Sequence, residues 1–244
     1  MLEATLWGLV AAGSLLLGAL VAIRRPPHKR ILGLTMAFGS GVLLSAVSFE
    51  LVEEASRLGG GSGGVLFGLF AGAAAFTLGD VTIGRFEHRR TKGMSGYHAQ
   101  ASGLTIVLGA LLDGIPETAV LGLTVLQTGG VGVAMLTAVF ISNIPEGVAA
   151  TAALIDGGWK RGAVIRLWLL VTLVCALAAG LGYVLLDGAS AGTLAFVYSF
   201  AGGAVLTMLA TSMMPEAFEM AGRAVGFITV FGFFIAYAIH LFEG

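Results

Sequence analysis

The chain has 244 residues, 57% hydrophobic and 11% charged, with a formal net charge of -1. A soluble domain covers its surface with roughly 25% charged residues, so this composition excludes a water-soluble fold and predicts an integral membrane protein. The near-neutral charge and the absence of a long basic run exclude nucleic acid as a partner, because phosphate binding needs clustered Lys and Arg.

A membrane crossing takes about 20 apolar residues. Uninterrupted apolar stretches predict eight spans, at 3–23, 32–55, 65–84, 102–127, 130–155, 162–186, 191–217 and 222–242, in a single membrane domain covering 1–244. The runs are too long and too continuous for the alternating strands of a barrel, so the spans are helices. The first span has no positive segment before it and charge after it, so it reads as a retained helix and not as a cleaved signal peptide. The breaks are the stretch Arg24 to Arg30 with Pro26 and Pro27, the glycine run Gly59 to Gly64, the polar stretch Arg85 to Ser102, Gly129-Gly130, and Asp156 to Arg161. The glycine run reads as a flexible connector.

Twelve of the 13 Lys and Arg residues fall on one side of the membrane. They sit at the first link (Arg24, Arg25, Lys29, Arg30), the third (Arg85, Arg89, Arg90, Lys92), the fifth (Lys160, Arg161, Arg166) and the seventh (Arg223), against Arg57 alone opposite. The positive-inside rule makes that side cytoplasmic and puts both termini outside. The expected location is the cell membrane, with the lipid bilayer as surroundings; a homodimer is one assembly state left open. Gly68, Gly72 and the stretch Ala178 to Gly182 read as small residues for close helix packing. The single cysteine, Cys175, lies in an apolar run and reads as a packing residue.

Two internal repeats emerge. An offset of 162 residues aligns Phe38, Gly41, Leu44, Glu54 and Ala55 with Phe200, Gly203, Leu206, Glu216 and Ala217, so the second span resembles the seventh. The two run in opposite directions, which predicts inverted repeats of the kind found in secondary transporters. The second repeat is more specific: Asp113-Gly-Ile-Pro-Glu117 in the fourth span and Ser142-Asn-Ile-Pro-Glu146 in the fifth share Ile-Pro-Glu 29 residues apart.

Counting the helix rise places Asp113 roughly 16 Å and Asn143 roughly 20 Å from the starts of their spans, near the midplane of a ~30 Å hydrocarbon core. A carboxylate there costs at least about 2.5–3.5 kcal/mol. No Lys or Arg lies at the depth of Asp113, Glu117 and Glu146, which leaves protonation or a bound cation as compensation. Asp113 and Glu117 share one helix face, as do Ser142, Asn143 and Glu146. Pro116 and Pro145 release the carbonyls of Leu112 and Ile141 from helical bonding. The set suits one or two divalent ions. Asp80 ranks lower as part of an exit route, Glu50 with Glu53 and Glu54 as a cation entrance, and Glu216 as a further acid near the inner end of the seventh span. Met213 and Met214 beside Glu216 read as packing residues. None of His28, His88, His98 and His240 forms a metal-spaced pair in the sequence.

With its two central motifs and eight spans, the chain resembles the ZIP family of divalent metal transporters. The resemblance extends to Phe49-Glu50-Leu51-Val52-Glu53-Glu54-Ala55 and Met214-Pro215-Glu216-Ala217, and covers essentially the whole chain. It implies an all-α, 3+2+3 arrangement, a metal site shared by the fourth and fifth spans, and ion movement toward the cytoplasm. Glu117 and Glu146 fill the family's two glutamate positions and Asn143 a position usually Asp or Asn. Asp113 stands where His is typical, Gly114 where Asn is expected, Ser142 where His or Gln is expected, and Glu50 where His is common. The link after the third span lacks the His cluster many members carry. The resulting all-oxygen set favours harder ions such as Mn, Mg or Ca relative to a mixed site, although affinity still rises toward Zn and Cu.

The expected function is transport of divalent metal ions, Zn first and Mn, Fe, Co or Cd as alternatives, with Asp113, Glu117, Asn143 and Glu146 as direct ligands and Ser142 as a further one. The ion is cargo and not a resident cofactor. The rival is a proton-coupled transporter of another cation or small solute that uses the same acids as a relay. An intramembrane metalloprotease would need an HExxH-like pair, and no His lies at depth beside Glu117 or Glu146, so the chain is read as no enzyme.

Overall fold

A computed structural model describes residues 1–59, 63–91 and 103–243, and every regular element among them is helical. Eight helices are long and apolar enough to cross a membrane. They are α1 (Leu2–Arg24), α2 (Lys29–Gly59), α3 (Gly63–Thr91), α4 (Gly103–Thr128), α5 (Val133–Asp156), α6 (Arg161–Leu185), α7 (Ala191–Ala221) and α8 (Ala224–Glu243). The chain is therefore a polytopic helical membrane protein. The centre of the glycine run and the stretch 92–102, with Lys92 and His98, lie outside the described residues, as do the side chains of His88, Arg89 and Arg90.

Set beside the expected spans, α2 and α7 each continue about one turn past the expected end, and α3 about two turns, to Thr91. Two glycines show how the helices stop. Gly129 and Gly222 follow the last turns of α4 and α7 with φ of +73° and +66°, a conformation that costs a side-chain-bearing residue energy and glycine almost none. Their N–H groups cap the carbonyls of Val125 and Phe218.

Burial sorts the helices. The most apolar stretches of α2 and α7 are 67% and 61% buried, against 22% and 17% for α3 and α8. The latter two present Phe67, Phe70, Phe227 and Phe234 outward. Such a face would aggregate in water but meets acyl chains in a bilayer at no cost. Thus α2 and α7 form the centre and α3 and α8 the flanks.

Packing divides the bundle into two groups. Helix α1 lies against α5 and α6, and α4 against α6; α2 lies against α8, α3 against α7, and α2 also meets α7. In the first group a buried cluster of Leu15, Ala19, Ala110, Leu154, Trp168 and Cys175 fills the centre. The Trp168 Nε1–H donates to Thr151 Oγ1 at 2.7 Å. Glycine sets the closest approaches. A Cβ on Gly41 would overlap the Thr229 carbonyl, and one on Gly203, at the 162-residue offset, the Leu69 carbonyl; Gly232 and Gly72 stand in the same way against Phe38 and Phe200, again 162 apart. The equivalence extends to the backbone. Helix α2 widens into π-turns from Val47 to Val52, and α7 from Leu209 to Met213, the two starting points again separated by 162 residues.

Candidate metal site

Pro116 and Pro145 both lie inside helices that continue through them. They carry Glu117 and Glu146 into the interior. Glu117 is 2% exposed, and its Oε2 is buried with no hydrogen-bond partner. A buried carboxylate oxygen without a donor is costly and is the kind of orphan that a cation satisfies. Asp113, one turn earlier, is half-buried against a wall that includes Phe76, Ala204, Val205 and Met208.

The carboxyl groups form one electrostatic chain. Asp113 lies within Coulombic reach of Asp80 and Glu216, Glu117 within reach of Asp113, and Glu146 within reach of Asp113, Glu117 and Glu216. Asp80 and Glu216 are exposed, so they flank the buried acids from α3 and α7. Among the described residues Arg57 pairs with Glu54 and His240 with Glu50, and none of these cationic groups reaches Asp113, Glu117 or Glu146. Also among the described residues, no three His, Cys, Asp or Glu side chains are close enough to hold one ion. The acids are neighbours without forming a closed coordination shell.

Ser142 and Asn143 are both buried but engaged elsewhere. The Ser142 hydroxyl donates back to the Val139 carbonyl at 3.1 Å, with α2 pressing on it at Gly39. The Asn143 Nδ2 donates to the Ala11 carbonyl of α1 at 3.4 Å. The Asn143 bond ties α5 to α1, the Ser142 bond stays within α5, and Glu146 is left as the α5 acid in the chain of charges.

A cavity of about 260 Å³ opens at one end of the bundle, lined by Glu50, Glu53, Glu54, Gln127, Tyr198 and His240 among others. His240 Nδ1 stands 2.7 Å from Glu50 Oε1, and its ring stacks on Phe49 with centroids 5.2 Å apart. Arg57 grips Glu54 through two nitrogens, at 2.6 and 2.7 Å. A second cavity, of about 340 Å³, lies at the opposite end between α1, α2, α5 and α7, with Lys29 and Asp156 on its walls. Sequence reading did not pair His240 with Glu50, which lie 190 residues apart; the one available signal was that both sit at the same end of their spans. Cys175, read as a packing residue, is buried in the cluster of α1, α4, α5 and α6 with its Sγ against Gly114 of the central motif.

No family model matches the chain. A protein of Arabidopsis thaliana named "putative zinc transporter" is 27% identical over 192 residues, which is 78% of this chain and 30% of that protein. The chain thus spans under a third of that relative's length.

Proposed function

We propose that the chain is a carrier of the ZIP type that moves divalent metal ions, zinc first among them, across the cell membrane toward the cytoplasm. The observation that carries this reading is the unpartnered Glu117 Oε2 among neighbouring, unpaired acids at membrane depth. Nothing structural requires such a group, whereas a cation supplies what it lacks. The relative's name adds independent support for zinc.

In this reading Glu117 and Glu146 hold the ion, Asp113 assists, and Asn143 and Ser142 join after exchanging their present bonds. Both termini lie outside. The cavity at Glu50 and His240 is the entrance and the Lys29–Asp156 cavity the exit. The helices form a 3+2+3 arrangement with inverted repeats; the matched burial, glycine contacts and π-turns of α2 and α7 support it. Alternating access then comes from α1, α4, α5 and α6 moving together against α2, α3, α7 and α8, because the strongest packing falls within these groups. The moving unit is wider than the α4–α5 pair that carries the motifs.

Purified protein in vesicles with a metal-sensitive dye inside, challenged with Zn, Mn, Fe, Co, Cd and Mg in competition, tests the reading. No bound metal and no metal flux would overturn it; solute flux driven by a pH gradient without metal would favour the proton-relay alternative. Ligation needs ionised carboxylates, so uptake should fall as the outer pH falls and protons compete for them, measured as initial rate at fixed free metal. At the entrance, His240→Ala should raise KM several-fold with kcat little changed, since it removes an interaction made before the ion reaches the central acids.

A further inference from the structure

The cavity of about 340 Å³ between α1, α2, α5 and α7 is shaped for an amphiphile. Its walls are apolar for most of their depth, with Ala22 of α1, Leu32 of α2, Val148 and Ala152 of α5 and Met220 of α7. On α5 the lining runs from Asp156 back to Val148, roughly 12 Å of helix, and so ends close after Glu146 in the chain. Charge is confined to the mouth, where Lys29 and Asp156 share the wall without pairing with each other. Pro26 and Pro27 line the same mouth, with extended backbone on either side at Arg25 and His28. The fixed φ of proline limits such a link to few conformations, so the mouth is preformed. Arg24, Arg25 and Arg30 lie exposed on this link, and Lys160 and Arg161, at the start of α6, lie at the same end of the bundle. Basic groups outnumber Asp156 around the mouth, which therefore complements a negatively charged headgroup.

We propose that this cavity binds a glycerophospholipid with a singly charged phosphodiester and a hydroxyl-bearing headgroup, for which phosphatidylglycerol is the probe. The phosphate meets Lys29, a headgroup hydroxyl donates to Asp156, and one acyl chain lies along the apolar wall toward Val148. A free anion lacks the chain that this wall accommodates, and Asp156 repels a more highly charged one. Because lipid tails are as apolar as the wall, selectivity comes from the headgroup and not from the chain. The effect on transport, unlike the binding itself, rests on the carrier reading above. Helices α1 and α5 belong to one packed group and α2 and α7 to the other, so the lipid bridges the two bodies that alternating access moves apart. A ligand that fits one of two arrangements draws the population toward it, and this one also stands in the ion's way out. The bound lipid therefore slows turnover.

Native mass spectrometry of the purified protein, titrated with phosphatidylglycerol in detergent, should show a single tightly held lipid. Lys29→Gln should hold it about fivefold more weakly, the worth of one basic side chain beside an anionic headgroup, and Ala152→Phe, which fills the wall, should lose it. In vesicles at saturating zinc, the native protein should run several-fold slower in mixed phosphatidylglycerol and phosphatidylcholine than in phosphatidylcholine alone. For Lys29→Gln the two rates should converge. Lipid held equally by the native protein and Lys29→Gln is annular only, and overturns the proposal. Sulfate that slows the native protein as strongly in phosphatidylcholine vesicles overturns it as well, by showing a simple anion site. Zinc flux that depends on Glu117 in a protein that holds no lipid leaves the carrier reading standing without the lipid. Lipid held through Lys29 by a protein that moves no metal keeps the lipid site and overturns the carrier reading.

Discussion

Glu117→Gln should abolish metal uptake while leaving the protein folded, and as stable to heat as the parent or more so. The carboxyl group is buried, and one of its oxygens has no partner. In the metal-free protein a neutral amide of the same shape is cheaper to hold at membrane depth than a carboxylate, by a margin on the order of the 2.5–3.5 kcal/mol insertion cost. Loss of a charged ligand should lower the uptake rate at limiting metal by about a hundredfold or more, beyond the effect of removing a group that merely orients one. A variant that is stabilised and inactive is the expected signature of a residue retained for work and not for folding. Thermal unfolding in detergent and vesicle uptake on the same preparation give both numbers. A stable variant with normal uptake would remove Glu117 from the site.

Gly122→Ala and Gly147→Ala should be strongly damaging single-methyl changes in the bundle. A Cβ on Gly122 would overlap the Ala179 carbonyl oxygen and stand 2.8 Å from its carbon; one on Gly147 would overlap the Leu15 carbonyl oxygen and stand 3.0 Å from its carbon. The obstacles are backbone atoms of packed helices, so the helices must separate. Overpacking of this kind costs about 1–3 kcal/mol and sometimes more. Gly147 also follows Glu146 directly, so pushing α5 off α1 displaces the acid and should reduce uptake as well. Gly13→Ala and Gly109→Ala are the controls: nothing lies within 4 Å of an added Cβ, and alanine in a helix gains about 0.5–1 kcal/mol over glycine. Melting temperatures that do not separate the two pairs would contradict the close approach of these helices.

That several helices cross was legible because lipid demands long unbroken apolar runs, and α2, α3 and α7 run past their expected ends where turns of mixed polarity continue the helix. Which helices pair was not legible. With 38 glycines in the chain, sequence alone does not say which of them pack, and only the structure separates Gly122, pressed on α6, from Gly109, where an added Cβ would meet nothing within 4 Å. The recurring Ile-Pro-Glu singled out Glu117 and Glu146, and the two do lie within electrostatic reach of each other. Spacing also put Ser142 and Asn143 on one face with Glu146, yet their polar atoms take backbone acceptors on α5 and α1. A buried donor bonds the nearest available carbonyl, and spacing along one helix cannot reveal that carbonyl when it lies on another. His240 went unpaired in the sequence for the same reason: its partner Glu50 lies on a distant helix. The 162-residue repeat was visible as scattered identities, and Gly41 and Gly203 now have a physical reason to match.

The wide turns in α2 and α7 have a consequence for every face drawn along these helices. A π-turn takes in one residue more than an α-turn, and one residue is about 100° of rotation. Beyond Val52 and Met213 the pattern is therefore one letter out of phase with what precedes it. A wheel drawn straight through α2 places Glu53 and Glu54 on the wrong side, and one drawn through α7 misplaces Glu216 by the same angle. Deleting a single residue from Val47–Val52 would restore a regular helix, and would swing the acids after it away from the cavity they now line.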